Sequence, residues 1–159
     1  MRRFALLVTF AALSCALADR AGAQTAQEDV LKPIRRLFDG MRKADSAMAR
    51  SAFHPDVSFM STGVREGQTV VRKESLDDFI KFVGTPRQEI VDERIWNEKV
   101  LIDGPLASVW VDYALFIGSR FSHCGVDAFQ LAKMADGWRI IAIADTRRTE
   151  GCQQGPRPN

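Results

Sequence analysis

The stretch "IDGPLASVWVDYALFIGSRFSHCGVDAFQLAKMADGWRIIAIADTRR", residues 102–148, decides the fold. Three runs rich in Val, Ile, Phe, Trp and Ala are separated by Gly118-Ser119 and by Asp136-Gly137, and the first is entered through Asp103-Gly104-Pro105. Short turn pairs between runs of this composition predict hairpins, so the region reads as an antiparallel meander. The run before it, "IVDERIWNEKVLIDG", adds a further extended segment.

Upstream, the pattern changes period. Val30, Leu31, Ile34, Leu37 and Phe38 recur at helical spacing and predict a helix from Gln27 to Gly40, with Pro33 tolerated in its first turn if the helix starts late. A shorter helix follows from Asp45 to about Ala52, and "DVSFMSTG" reads as a strand that stops at Gly63. "SLDDFIKFVG" reads as a capped helix, with Ser75 as N-cap, Asp78 three residues on and Gly84 as its stop. Helices first and a meander afterwards is an α+β arrangement, with the helices on one face of a curved sheet.

The first residues bear on compartment. Arg2 and Arg3 precede an apolar run from Phe4 to Ala18, and Ala21-Gly22-Ala23 follows as an A-x-A cleavage site, the pattern of a secretory signal peptide over residues 1–23. The run is shorter than the roughly 20 residues a membrane span needs. The expectation is a periplasmic or secreted chain with no membrane span, made of one domain over residues 24–150 and a tail over residues 151–159. Removing the leader takes three Arg and one Asp from the 22 basic and 20 acidic residues, leaving 19 of each. A balanced chain lacks the clustered positive charge that nucleic acid binding draws on. Cys15 departs with the leader, and two cysteines in an oxidising compartment are read first as a pair, Cys124 with Cys152. A thiolate nucleophile is the competing reading, but His123 and Cys124 are adjacent on a strand and point to opposite faces.

The order of elements, the "FHPDVSFMSTG" segment and above all residues 102–148 resemble the nuclear transport factor 2-like (NTF2-like) superfamily, and within it the exported proteins of SnoaL-like, DUF4440 or "putative lumazine-binding" type. The resemblance spans most of residues 27–150. It implies a cone-shaped sheet wrapped on N-terminal helices, an internal cavity and a homodimer. It does not imply one reaction, because this fold carries isomerases, dehydratases, hydrolases, cyclases and non-enzymatic binders.

If Gly118-Ser119 and Asp136-Gly137 are both two-residue turns, one sheet face carries Trp110, Asp112 and Phe116 beside His123, Asp127 and Phe129, with Thr146 opposite Asp127. That face mixes aromatic and polar groups as a ligand cavity does. On this register Asp112 and Asp127 are near neighbours, so mutual repulsion makes one easier to protonate, and with His123 they are the candidate acid and base groups. Trp110, Phe129, Trp96, Phe116 and Thr146 are the candidate ligand contacts. The opposite, more aliphatic face suits a subunit interface. A one-residue change in either turn exchanges the faces.

Other chemistries lack their residues. There is no Gly-rich phosphate loop and no G-x-S-x-G elbow, and the two histidines lie far apart in the chain, so neither a cofactor nor a metal is expected. Two functions from different classes remain: a domain that binds a small, largely apolar molecule without turning it over, and a cofactor-independent lyase or isomerase working in the same cavity.

Overall fold

The computed structural model describes the backbone of residues 5–156 and the side chains of residues 22–156. Most of the expected leader therefore lies outside the described side chains. Among the described residues, no helix is long and apolar enough to cross a membrane.

Helix α1 (Ala5–Lys43) and helix α2 (Ser46–Arg50) precede strands β1 (Phe53–Arg65) and β2 (Gln68–Glu74). Helix α3 (Leu76–Gly84) leads into β3 (Val91–Asp103), β4 (Leu106–Ile117), β5 (Arg120–Met134) and β6 (Gly137–Thr146). The buried stripe Val30, Leu31, Ile34, Leu37, Phe38 and Met41 fixes α1 against the sheet. Pro33 falls inside α1 rather than in its first turn, and Gly40 does not end it. Packing of the stripe carries the helix past both residues, a tertiary gain that outweighs local propensity. Gly40 has a different use: a Cβ there would meet the Ala49 backbone nitrogen at 2.7 Å, so the glycine lets α2 lie close against α1. Asp45 caps α2 by accepting from the Met48 amide, and Ser75 caps α3 by accepting from the Asp78 amide.

The six strands form one sheet in the order β2-β1-β6-β5-β4-β3. Every neighbouring pair is antiparallel except β1 with β6, which is parallel. The architecture is the α+β cone: a curved, unclosed sheet with helices on its inner face. Irregularities in the ladders at Trp96/Lys99, Leu115/Phe116 and Gln130/Leu131 bend the strands.

Two of these irregularities change which side chains share a face. The Gly118-Ser119 turn forms as expected, with Ile117 opposite Arg120, but an extra residue at Ser122 then shifts the ladder. Asp127 consequently pairs with Val111 instead of Trp110, Tyr113 with Gly125, and Leu115 with His123. At the other hairpin the turn residues are Ala135-Asp136, with Met134 opposite Gly137, and a bulge beside Leu131 sets Asp127 opposite Asp145 instead of Thr146. The inner face is therefore Val109, Val111, Tyr113 and Leu115 with His123, Asp127, Phe129 and Leu131, closed by Trp138, Ile140, Ile143 and Asp145. Strand β2, an exposed and strongly charged edge, had no hydrophobic alternation to announce it.

On the outer face, Cys124 and Cys152 are joined by a disulfide with Cα atoms 5.8 Å apart. Cys124 pairs with Arg148, one position from the expected Thr149. The bridge folds the tail back, so that Gly155 rests on the Trp96 ring and Cys152 joins a small cluster with Ala114, Phe116 and Phe121.

Candidate functional site

A cavity of about 630 Å³ lies between the inner face of the sheet, α1 and α3. Its body is aromatic and aliphatic, built from Leu37 and Phe38 on α1, Phe59 on β1, Phe79 on α3, and Phe129 and Ile143 on the sheet. Phe129 meets Phe38 edge to face at 6.3 Å, and Phe59 meets Phe79 at 5.4 Å. A volume of this size suits a small organic molecule.

The polar groups collect on one wall. Asp127 of β5 and Asp145 of β6 are register partners on the inner face, and each is buried, at 5% and 6% exposure. Glu93 reaches the same spot from β3 and lies within hydrogen-bonding reach of Asp127. Arg147 closes the group on the solvent side: its Nε donates to Asp145 Oδ2 at 2.7 Å and its Nη2 donates to Glu74 Oε1 at 2.8 Å. One oxygen on each aspartate, Asp127 Oδ2 and Asp145 Oδ1, is buried with no hydrogen-bond partner.

Three carboxyl groups in one apolar wall cannot all carry charge. Burial pushes Glu93 up to about 7, and burial together with the Glu93 and Asp145 charges holds Asp127 well above the ordinary carboxylate range. Burial also raises Asp145, against the pull of the Arg147 guanidinium. Glu93 and Asp127 titrate as a pair, so a proton that relieves their repulsion belongs to the pair and not to either residue.

Tyr113 stands beside them, its hydroxyl donating to the Thr146 carbonyl at 2.8 Å. Burial and the neighbouring carboxylates raise its pKa, so it stays a phenol. The His123 ring meets Tyr113 edge to face at 5.8 Å, and burial followed by Arg147 lowers its pKa, which keeps the imidazole neutral. Gly125 makes this packing possible, since a Cβ there would lie 1.8 Å from the Thr146 carbonyl oxygen and 2.7 Å from the Tyr113 ring.

Of the residues singled out from sequence, Asp127, His123 and Phe129 line the cavity. Asp112 does not: the bulge at Ser122 turns it to the outer face, where it accepts from Asn97 Nδ2 at 2.8 Å. Trp110 is likewise on the outer face and half exposed. Phe116 stacks under the Arg94 guanidinium at 3.9 Å and Trp96 lies beneath the tail, both away from the cavity. Thr146 is exposed, and its hydroxyl accepts from the Val126 amide. The residues the sequence reading passed over are Glu93, Tyr113 and Asp145. A usable signal existed for Glu93, a charge set between Val91 and Ile95 at the inward positions of an alternating strand. Among the described residues, no three His, Cys, Asp or Glu side chains are gathered as a metal site would gather them.

The sequence from residue 25 to residue 144 matches the family model described as "Putative lumazine-binding". The chain belongs to that family. Several solved structures similar to it are described as NTF2-like. One is an NTF2-like protein from Shewanella baltica, 17% identical, with a TM-score of 0.59 over 79% of this chain and 96% of the other. Another, from Novosphingobium aromaticivorans, is an NTF2-like protein with a cystatin-like fold, 12% identical, with a TM-score of 0.66 over 86% and 90%. A third, from Streptomyces avermitilis, is described as a "putative dehydratase" of the NTF2-like family, 14% identical, with a TM-score of 0.58 over 79% and 98%. At these identities the likeness is one of fold. No curated protein is similar in sequence to this chain.

Proposed function

We propose that this is an exported domain that binds a small, largely apolar molecule in the cavity of the curved sheet. The observation that carries the reading is the cavity itself: about 630 Å³, lined mainly by aromatic and aliphatic side chains, with its polar groups converging on one wall. Family membership supports a ligand-binding domain. Export is supported by the leader pattern and by a disulfide between the two cysteines the leader does not contain. Leu101, Leu106 and Trp110, exposed along the outer side of β3 and β4, support self-association as a homodimer. The test is native mass spectrometry of protein recovered from an oxidising compartment, followed by thermal melts. A copurified small molecule should raise the melting temperature of the native chain and not that of Leu115→Trp, which fills the cavity. Equal stabilisation of both would refute the reading.

The Glu93 and Asp127 pair favours a second reading, a cofactor-independent lyase or isomerase. A carboxyl group poised near neutral pH inside a largely apolar cavity is suited to exchange protons with a bound molecule, with Asp127 as the acid, Glu93 as the base and neutral His123 as a hydrogen-bonding group. Turnover lost in Asp127→Asn while ligand affinity persists would select this reading, and a ligand recovered chemically unchanged after long incubation would reject it.

A further inference from the structure

We propose that the molecule this cavity takes carries a protonated amine on an apolar body, with the ammonium seated between Asp127 and Asp145. The inference rests on the reading of the cavity as a binding site and names the class of ligand.

Two oxygens on this wall have no hydrogen-bond donor from the chain. Asp127 Oδ2 and Asp145 Oδ1 are buried acceptors on side chains that line the cavity. A buried acceptor left unpaired costs on the order of 1–3 kcal/mol, so a pair of them on one wall asks for donors from outside the chain. An ammonium has three donors and no acceptor, which matches a wall that offers acceptors.

Charge points the same way. Asp127 and Asp145 face each other across neighbouring strands, an arrangement that is destabilising for like charges unless a cation stands between them. The chain's own cation nearby, Arg147, is already held by Asp145 Oδ2 and Glu74 and does not reach either orphaned oxygen. Glu93 adds a third carboxyl from β3, and Tyr113 and His123 stay neutral on β4 and β5. At the mouth, β2 supplies Lys73 and Glu74 and α3 supplies Asp78, while α1 and β1 contribute only apolar side chains. The wall is thus net acidic whenever its carboxyls are ionised. The rest of the cavity is furnished for the remainder of such a molecule, since Phe38, Phe59, Phe79 and Phe129 offer apolar surface and ring faces that attract cations.

The seating has a proton consequence. Without a cation the carboxyls keep their charge down by holding protons; an ammonium arriving between them favours the ionised forms, so protons leave as the ligand enters. A neutral ligand would release none.

The experiment is isothermal titration calorimetry of the full mature chain with three probes on one scaffold, 4-phenylbutylamine, 4-phenylbutanol and 4-phenylbutyrate, at pH 7 in two buffers of different ionisation enthalpy. The amine should bind at least tenfold tighter than the alcohol and the carboxylate most weakly, and only the amine should show a buffer-dependent heat from released protons. Asp127→Asn and Asp145→Asn should each cut the preference for amine over alcohol by about tenfold. Alcohol binding as tightly as amine in the native chain would overturn the proposal and leave the cavity reading intact. An amine preference untouched in both variants would also overturn it, by placing the amine elsewhere. Failure of all three probes to bind at millimolar concentration would overturn both readings.

Discussion

Glu93→Gln should make the protein more stable at neutral and alkaline pH, and the gain should grow with pH in a defined window. In the folded chain burial pushes the Glu93 carboxyl up to about 7, from an ordinary value of 4.5 that the unfolded chain retains. A raised carboxyl pKa means that the folded state holds the proton more tightly. Stability from this group is therefore fully present below pH 4.5 and drains away as pH rises to about 7. At about 1.36 kcal/mol for each pH unit across that window, the loss comes to about 3 kcal/mol. A glutamine side chain at this position mimics the protonated form at every pH and forgoes the loss. His123 works in the opposite sense, since a depressed imidazole pKa costs stability as pH falls. The measurement is accordingly the difference between native and variant chains, taken from urea melts at half-unit steps between pH 4 and 8. The difference should be near zero at pH 4 and widen to about 3 kcal/mol in favour of the variant by pH 8. A difference that stays flat across the window would refute the burial of Glu93 beside Asp127.

Gly125→Ala should destabilise the fold by about 3 kcal/mol or more, because the added methyl has the Thr146 carbonyl and the Tyr113 ring in its way; a denaturation midpoint within error of the native one would count against the close approach of β5 and β6 there. Cys152→Ser should lower stability by about 3.5 kcal/mol on the chain-entropy estimate for a loop spanning 28 positions, with α1 and the cavity unchanged by near-ultraviolet circular dichroism and ligand affinity. No change in stability would mean that the tail is held by its packing on Trp96 alone.

The elements were legible where local chemistry is specific. Ser75 with Asp78 marks the start of α3, the stripe from Val30 to Phe38 marks α1, and Gly118-Ser119 marks a turn. The faces of the strands were not legible, because a single bulged residue, Ser122, carries no signature that distinguishes it from its neighbours and still exchanges Asp112 for Val111 and Tyr113 on the inner face. The site inherited that difficulty. His123, Asp127 and Phe129 lie on the cavity side of the bulge whichever register β4 takes, whereas Trp110, Asp112 and Phe116 depend on it. Glu93 and Asp145 were hidden for a further reason: their contact with Asp127 joins β3, β5 and β6, and no short-range pattern reports which distant strands meet.

The strand order has a consequence for how the chain is made. The last strand, β6, sits in the interior of the sheet between β5 and β1, and its parallel pairing with β1 sets Phe59 beside Ile143. The β1–β2 hairpin has no other strand to join, so the sheet stays in two pieces until β6 has emerged. A nascent chain of this topology cannot complete its sheet before β6 has been made. Premature termination before Gly137 would leave β1 and β5 with bare edges toward each other, and such fragments would be expected to pair with other chains rather than persist as soluble half-domains.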